Sequence, residues 1–107
     1  MTGQMNPSDV FAAISAPARR AILARLQNGE MPVLRLAESF EMSLPAVSQH
    51  LAVLKTAGLV RVRKSGRQRF YALEAKPLQD VSEWVQQYEK FWTGRLHALG
   101  DYLKENA

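Results

Sequence analysis

44-LPAVSQHLAVLKTAGLV-60 and the 61-RVRKSGRQRFY-71 that follows change their hydrophobic period at a single glycine, and that change decides the fold. In the first segment Val47, Leu51 and Leu54 recur at i, i+4 and i+7, a spacing that gathers apolar side chains into one narrow helical stripe. Ser43 is placed to cap this helix, because its hydroxyl can accept from a free amide one turn on. Pro45 falls in the first turn, where a missing N–H is harmless. Gly58 supplies the left-handed residue that stops it. Beyond it Val60 and Val62 alternate with Arg61 and Arg63 as in a half-buried strand. Ser65-Gly66 signals a turn, and 69-RFYAL-73 returns as a partner strand rich in β-formers. The pattern predicts a helix over about 44–57 and a hairpin over about 60–73.

Upstream, Ser8 is a candidate cap for a short helix carrying Val10, Phe11 and Ile14. Pro17 opens a second helix, 17-PARRAILARLQNG-29, in which Ala18, Ile22, Leu23 and Leu26 recur at helical spacing until Gly29. Pro32 is expected to begin a third, with Val33, Leu36, Ala37 and Phe40 inward. After Pro77 a helical pattern runs from about Leu78 to Lys104. Residues 1–7 are expected to be flexible and residues 8–107 to form one domain, large enough for a single core. The expected fold class is mainly α with a small β-hairpin: four short helices, the hairpin and a long final helix over about 78–104. This is the layout of a winged helix-turn-helix.

Charge is unevenly spread. The chain carries +4 overall, yet residues 1–54 balance. Residues 55–76 hold Lys55, Arg61, Arg63, Lys64, Arg67, Arg69 and Lys76 against Glu74 alone. A basic block of this kind releases counterions from a phosphate chain, so a polyanion is the expected partner. On charge alone, a merely solvated hairpin remains open.

Composition narrows the class. An apolar fraction of 47% with 22% charged residues suits a folded, soluble chain. The absence of cysteine excludes a disulfide framework and thiol chemistry. The chain has no apolar run long enough to span a membrane, and 1-MTGQMNPSDV-10 does not read as a signal peptide. A cytoplasmic protein without membrane partner or cofactor is expected. With two histidines and neither a Gly-rich phosphate loop nor a Ser-centred elbow, catalysis is not expected.

If Val47, Leu51 and Leu54 turn inward, Ala46, Ser48, Gln49 and His50 project from the first turns of the helix, with Lys55 nearer its end. Gln can pair with adenine, Ser and His can donate or accept, and an Ala methyl can touch a thymine methyl. Taken alone, these residues read equally well as the solvated face of an amphipathic helix; the basic hairpin tips the balance towards DNA. Arg63, Lys64 and Arg67 near the turn are the expected wing contacts, with Arg61 and Arg69 assigned instead to acidic partners.

The segments 13-AISAPARRAILARL-26 and 37-AESFEMSLPAVSQHLAVLKTAGLVRVRKSGRQRFYAL-73, with the aromatic tail, resemble the ArsR family of bacterial winged-helix repressors from about residue 9 to 103. The resemblance implies a homodimer that binds an operator on double-stranded DNA and represses transcription until a signal releases it. It would put helix contacts at Ser43, Ala46, Ser48, Gln49 and His50, and wing contacts over 63–67. Many members of the family sense metals. Here Pro32 and Leu34 occupy the positions of that family's cysteine pair, and the last helix offers only His97 and Asp101. A non-metal-sensing type is therefore expected, with no metal site, and zinc is not expected to affect binding.

Five of the aromatics, Trp84, Tyr88, Phe91, Trp92 and Tyr102, fall in the final helical pattern. Its apolar residues make two stripes, one through Leu78, Val81, Val85, Tyr88, Trp92, Leu99 and Leu103, the other through Trp84, Phe91 and Leu96. A small domain covers one stripe, so the second predicts a dimer seam with Val10, Phe11 and Ile14 of the first helix contributing. The expected interface residues are Phe11, Val81, Trp84, Val85, Tyr88, Phe91, Trp92 and Leu99. An aromatic pocket for an unidentified small-molecule effector is left open. The alternative function is a winged-helix module that grips a protein or structured RNA through its basic hairpin.

Overall fold

In the computed structural model residues 9–92 and 102–105 are described. The chain runs α1 (Val10–Ala13), α2 (Pro17–Leu26), β1 (Met31–Pro32), α3 (Val33–Glu38), α4 (Leu44–Thr56), β2 (Val60–Ser65), β3 (Gln68–Leu73) and α5 (Leu78–Gln86), ending in a 3-10 turn over Glu89–Phe91. The three strands form an antiparallel sheet in the order β1-β3-β2.

The expected ridge of α4 is the centre of the core. Val47, Leu51 and Leu54 are at 0% exposure and meet Ile22, Leu26, Leu36 and Leu59, which are equally buried or nearly so. Both ends of α4 are satisfied locally. The Ser43 hydroxyl accepts from the Ala46 amide at 3.2 Å. At the other end Gly58 has φ +79°, its amide donates to the Lys55 carbonyl at 2.9 Å, and the Leu59 amide reaches the Leu54 carbonyl at 2.9 Å. This Schellman closure buries Leu54 and Leu59 together and turns the chain directly into β2.

The structure departs from expectation in four places. The cap of α1 is Asp9, whose carboxylate accepts from the Phe11 amide at 2.8 Å; Ser8 lies outside the described residues. Val10, expected at a dimer seam, belongs to the core of its own chain. Pro32 caps α3, which starts at Val33, but it also belongs to an unexpected edge strand, β1, where it lies opposite Phe70. Most consequential, the helix expected over 78–104 ends at Gln86. Only its first turns, through Leu78 and Val81, rest on the core. Past that support the Gln87 and Tyr88 amides reach back three residues to Trp84 and Val85, tightening the chain into 3-10 geometry. Residues 102–105 are helical. Gly94, Arg95, Leu96, His97, Leu99, Gly100 and Asp101 lie outside the described residues.

Leu51→Ala should lower stability by about 2–5 kcal/mol through cavity formation. Leu34→Ala, at a position 54% exposed, should shift it by no more than about 0.5 kcal/mol. Urea denaturation followed by circular dichroism measures both, and equal effects would show the core to be misplaced.

Candidate nucleic-acid interface

With its ridge buried, α4 presents the opposite edge outward. Ser43, Ser48, Gln49 and Lys55 are exposed, while Ala46 and His50 are half-buried. The Ser43 oxygen is engaged as the cap, which leaves its hydroxyl hydrogen as its contribution to a ligand. His50 is tethered, with Nδ1 3.3 Å from Nη1 of Arg19. A guanidinium only donates, so Nδ1 accepts and Nε2 is the ring nitrogen left for another partner.

Arg19 also donates to the Ala13 carbonyl at 2.6 Å and the Ala12 carbonyl at 3.2 Å, and Arg20 donates to the Ile14 carbonyl at 2.8 Å. Two arginines at the start of α2 thus donate to the carbonyls that end α1, and Arg19 alone also braces α4 through His50. The sequence reading missed this role. Its only signal was the Arg pair just after Pro17, which periodicity alone treats as solvated.

The wing is a tight hairpin. Ser65 pairs with Gln68, so the turn proper is Gly66-Arg67, one residue later than expected, with Gly66 at φ +61°. The two sheet faces treat their cations differently. Arg61 meets Glu74 at 3.4 Å, as expected. Arg63 donates from Nε and Nη2 to both carboxylate oxygens of Glu30, at 3.1 and 2.7 Å, and its guanidinium lies 4.6 Å from the centre of the Phe70 ring. Lys64, Arg67 and Arg69 are exposed and have no acidic partner among the described residues. The pairing expected at Arg69 is therefore found at Arg63. Glu30, which lies far from the wing in sequence, was not anticipated.

Between α4 and the wing lies a groove of about 510 Å3, bordered by Ser48, Lys55, Lys64 and Arg69. The arrangement offers exposed polar groups along one helix edge and, beside and beyond it, cations without an acidic partner among the described residues. Such a surface suits a duplex whose base edges and phosphates must be met together.

The family model of the helix-turn-helix domain matches residues 14–63. The chain is 40% identical over 78 residues to the transcriptional repressor SdpR of Bacillus subtilis, covering 73% of this chain and 87% of that protein. It is also 40% identical over 96 residues to the HTH-type transcriptional regulator Rv2034 of Mycobacterium tuberculosis, covering 90% and 87%. The crystal structure of an ArsR family transcriptional regulator superposes with a TM-score of 0.70 at 36% identity, covering 79% of this chain and 93% of that one. The chain belongs to the ArsR family. It is a DNA-binding helix-turn-helix transcriptional regulator, with α3 and α4 as the helix pair and β2-β3 as the wing. No helix among the described residues of this ArsR-family chain is long and apolar enough to cross a membrane.

The hydrogen bond from Arg63 holds the Glu30 carboxyl below the usual carboxylate range. A depressed folded-state value means the pair stabilises the fold at neutral pH. That contribution fades as pH falls below the ordinary 4.5 and through the lowered value. Glu30→Gln should therefore be slightly less stable than wild type at pH 7, and the difference should shrink steadily as pH falls below 4.5, as measured by urea titration across that range. A difference that persists in acid would show that Glu30 acts by other means.

Proposed function

We propose that this ArsR-family regulator is a homodimeric repressor that acts in the cytoplasm on an inverted-repeat operator. Its α4 enters the major groove and its wing, over residues 63–69, lies on the flanking DNA. The observation that carries this is the division within α4: Val47, Leu51 and Leu54 are sealed in the core while Ser48 and Gln49 stand clear of it. Burial fixes which edge of the helix faces out, and that edge is small and polar at its first turns, as base reading requires.

On this reading Ser43, Ala46, Ser48, Gln49 and His50 meet the groove, with Lys55, Lys64 and Arg67 on phosphates. Arg63, tied to Glu30, contributes mainly by setting the wing's angle. A repressor is favoured because SdpR, with which the chain aligns over most of both lengths, bears that name. Pro32 and Leu34 stand where family thiols would coordinate metal, which favours a regulator that needs no metal. His97 and Asp101 lie outside the described residues.

The homodimer rests on the exposed aromatic row at the end of the described chain. Trp84, Tyr88, Phe91 and Trp92 are 50%, 46%, 67% and 44% exposed. Phe11 of α1 packs edge-on against Trp84 at 5.9 Å, and Trp84 meets Tyr88 at 5.3 Å, so the row joins α1 to α5 in one apolar surface. An apolar surface of this kind calls for a cover. A second copy related by a two-fold axis supplies one, and sets two α4 helices about one DNA turn apart. Val81 and Val85, half-buried on α5, border this seam, and Leu99 lies outside the described residues.

Selection of bound duplexes from a random pool should return an inverted repeat. On that duplex Gln49→Ala should cost about 1–3 kcal/mol and leave random DNA almost unaffected. Arg67→Gln should weaken both alike and flatten the salt dependence, with affinities unchanged by a chelator. If both variants act identically on operator and random DNA, the division of roles is wrong. Phe91→Arg should convert a dimer to a monomer in sedimentation velocity without loss of helix content, and a wild-type monomer at micromolar concentration would refute the seam.

A further inference from the structure

The wing's two faces are neutralised to different degrees. Arg61 and Arg63 each have a carboxylate, Glu74 and Glu30. Lys64 and Arg69 are directly opposed in the ladder between β2 and β3, two like charges across a strand pair, with no carboxylate on either among the described residues. Like charges in that register destabilise a hairpin, so the pair is a local penalty that folding alone does not explain. Lys55, near the end of α4, borders the same groove and adds a third cation. The groove is roomy, at about 510 Å3, and its lining also includes Leu51, Val62 and Tyr71. Apolar lining beside three cations that have no acidic partner among the described residues strengthens their pull on an anion.

We infer that Lys55, Lys64 and Arg69 form a seat for one phosphate group, and that Arg69, outside the expected contact set, is one of its principal ligands. The group seated is a backbone phosphate of the duplex bound by α4, an assignment that rests on the DNA-binding reading above. Free pyrophosphate offers the same chemistry and serves as the probe without DNA. Ser48 borders the same groove and is exposed on α4. Occupation of the seat would therefore fix the depth at which the base-reading edge enters the groove.

Two measurements separate the seat from the reading it rests on. At constant ionic strength, pyrophosphate should shift the backbone amide resonances around Lys55, Lys64 and Arg69 of the full chain, and Arg69→Gln should lose at least tenfold in that affinity. Arg69→Gln removes a like-charge opposition, so it should fold at least as well as wild type. On DNA, Arg69→Gln should reduce the slope of log affinity against log salt by about 0.9, the signature of one lost phosphate contact, whereas Arg61→Gln, which removes a cation already facing Glu74, should leave the slope nearly unchanged. Wild-type resonances indifferent to pyrophosphate, or an Arg69→Gln slope equal to wild type on a duplex that binds well, would overturn the seat and leave the DNA-binding reading intact. Pyrophosphate binding that depends on Arg69 in a protein that ignores duplexes would support the seat as an anion site while overturning its assignment to DNA.

Discussion

The burial of one ridge of α4 governs the rest of the molecule. Val47, Leu51 and Leu54 have no rotational freedom once they are packed against Ile22, Leu26, Leu36 and Leu59. Turning α4 by a third of a revolution would expose three large aliphatic groups at roughly 1.5–3 kcal/mol each. The outward edge is therefore fixed by the core, and the exposed Ser48 and Gln49 take their direction from it. The Schellman closure at Gly58 carries the same constraint into the sheet, because Leu54 and Leu59 are buried as a unit and β2 begins at the next residue. Helix and wing are thus held in a fixed relation by a single stretch of backbone.

Electrostatics then divides labour within the wing. The Glu30 carboxylate takes both donors of Arg63 and ties the hairpin to the segment entering β1. Glu74, just past β3, pairs more loosely with Arg61 across the base of the hairpin. The remaining wing cations, Lys64, Arg67 and Arg69, have no counter-charge among the described residues. Exposed ion pairs add little to stability, so their value here lies in geometry: they hold the wing steady while the unpaired cations stay available for phosphate.

Much of this was legible in the sequence. The i, i+4, i+7 stripe, Ser43 as cap, Gly58 as stop and the alternation after Val60 are local signals, and each appears within a residue or two of where they pointed. Long-range pairings left no such trace. Strand β1 is two residues long, too short to alternate, and is defined only by its partner β3. Glu30 with Arg63 and Arg19 with His50 join residues more than thirty positions apart, and nothing at either end announces the other. The final helix was expected as one unbroken rod because its apolar pattern is real, but a helix needs a surface to pack on, and among the described residues of α5 only Leu78 and Val81 rest on the core. The aromatics that made the pattern look helical are the same ones left exposed.

The central claim is that the core-facing ridge of α4 aims its polar edge at base pairs. A crystal structure of the full chain bound to a duplex recovered by selection tests it most directly. The predicted result has the Gln49 amide within hydrogen-bonding distance of a base edge in the major groove, with Val47, Leu51 and Leu54 still sealed inside. A complex in which α4 stands away from the groove, or in which the duplex is held by the aromatic row of α5, would contradict it.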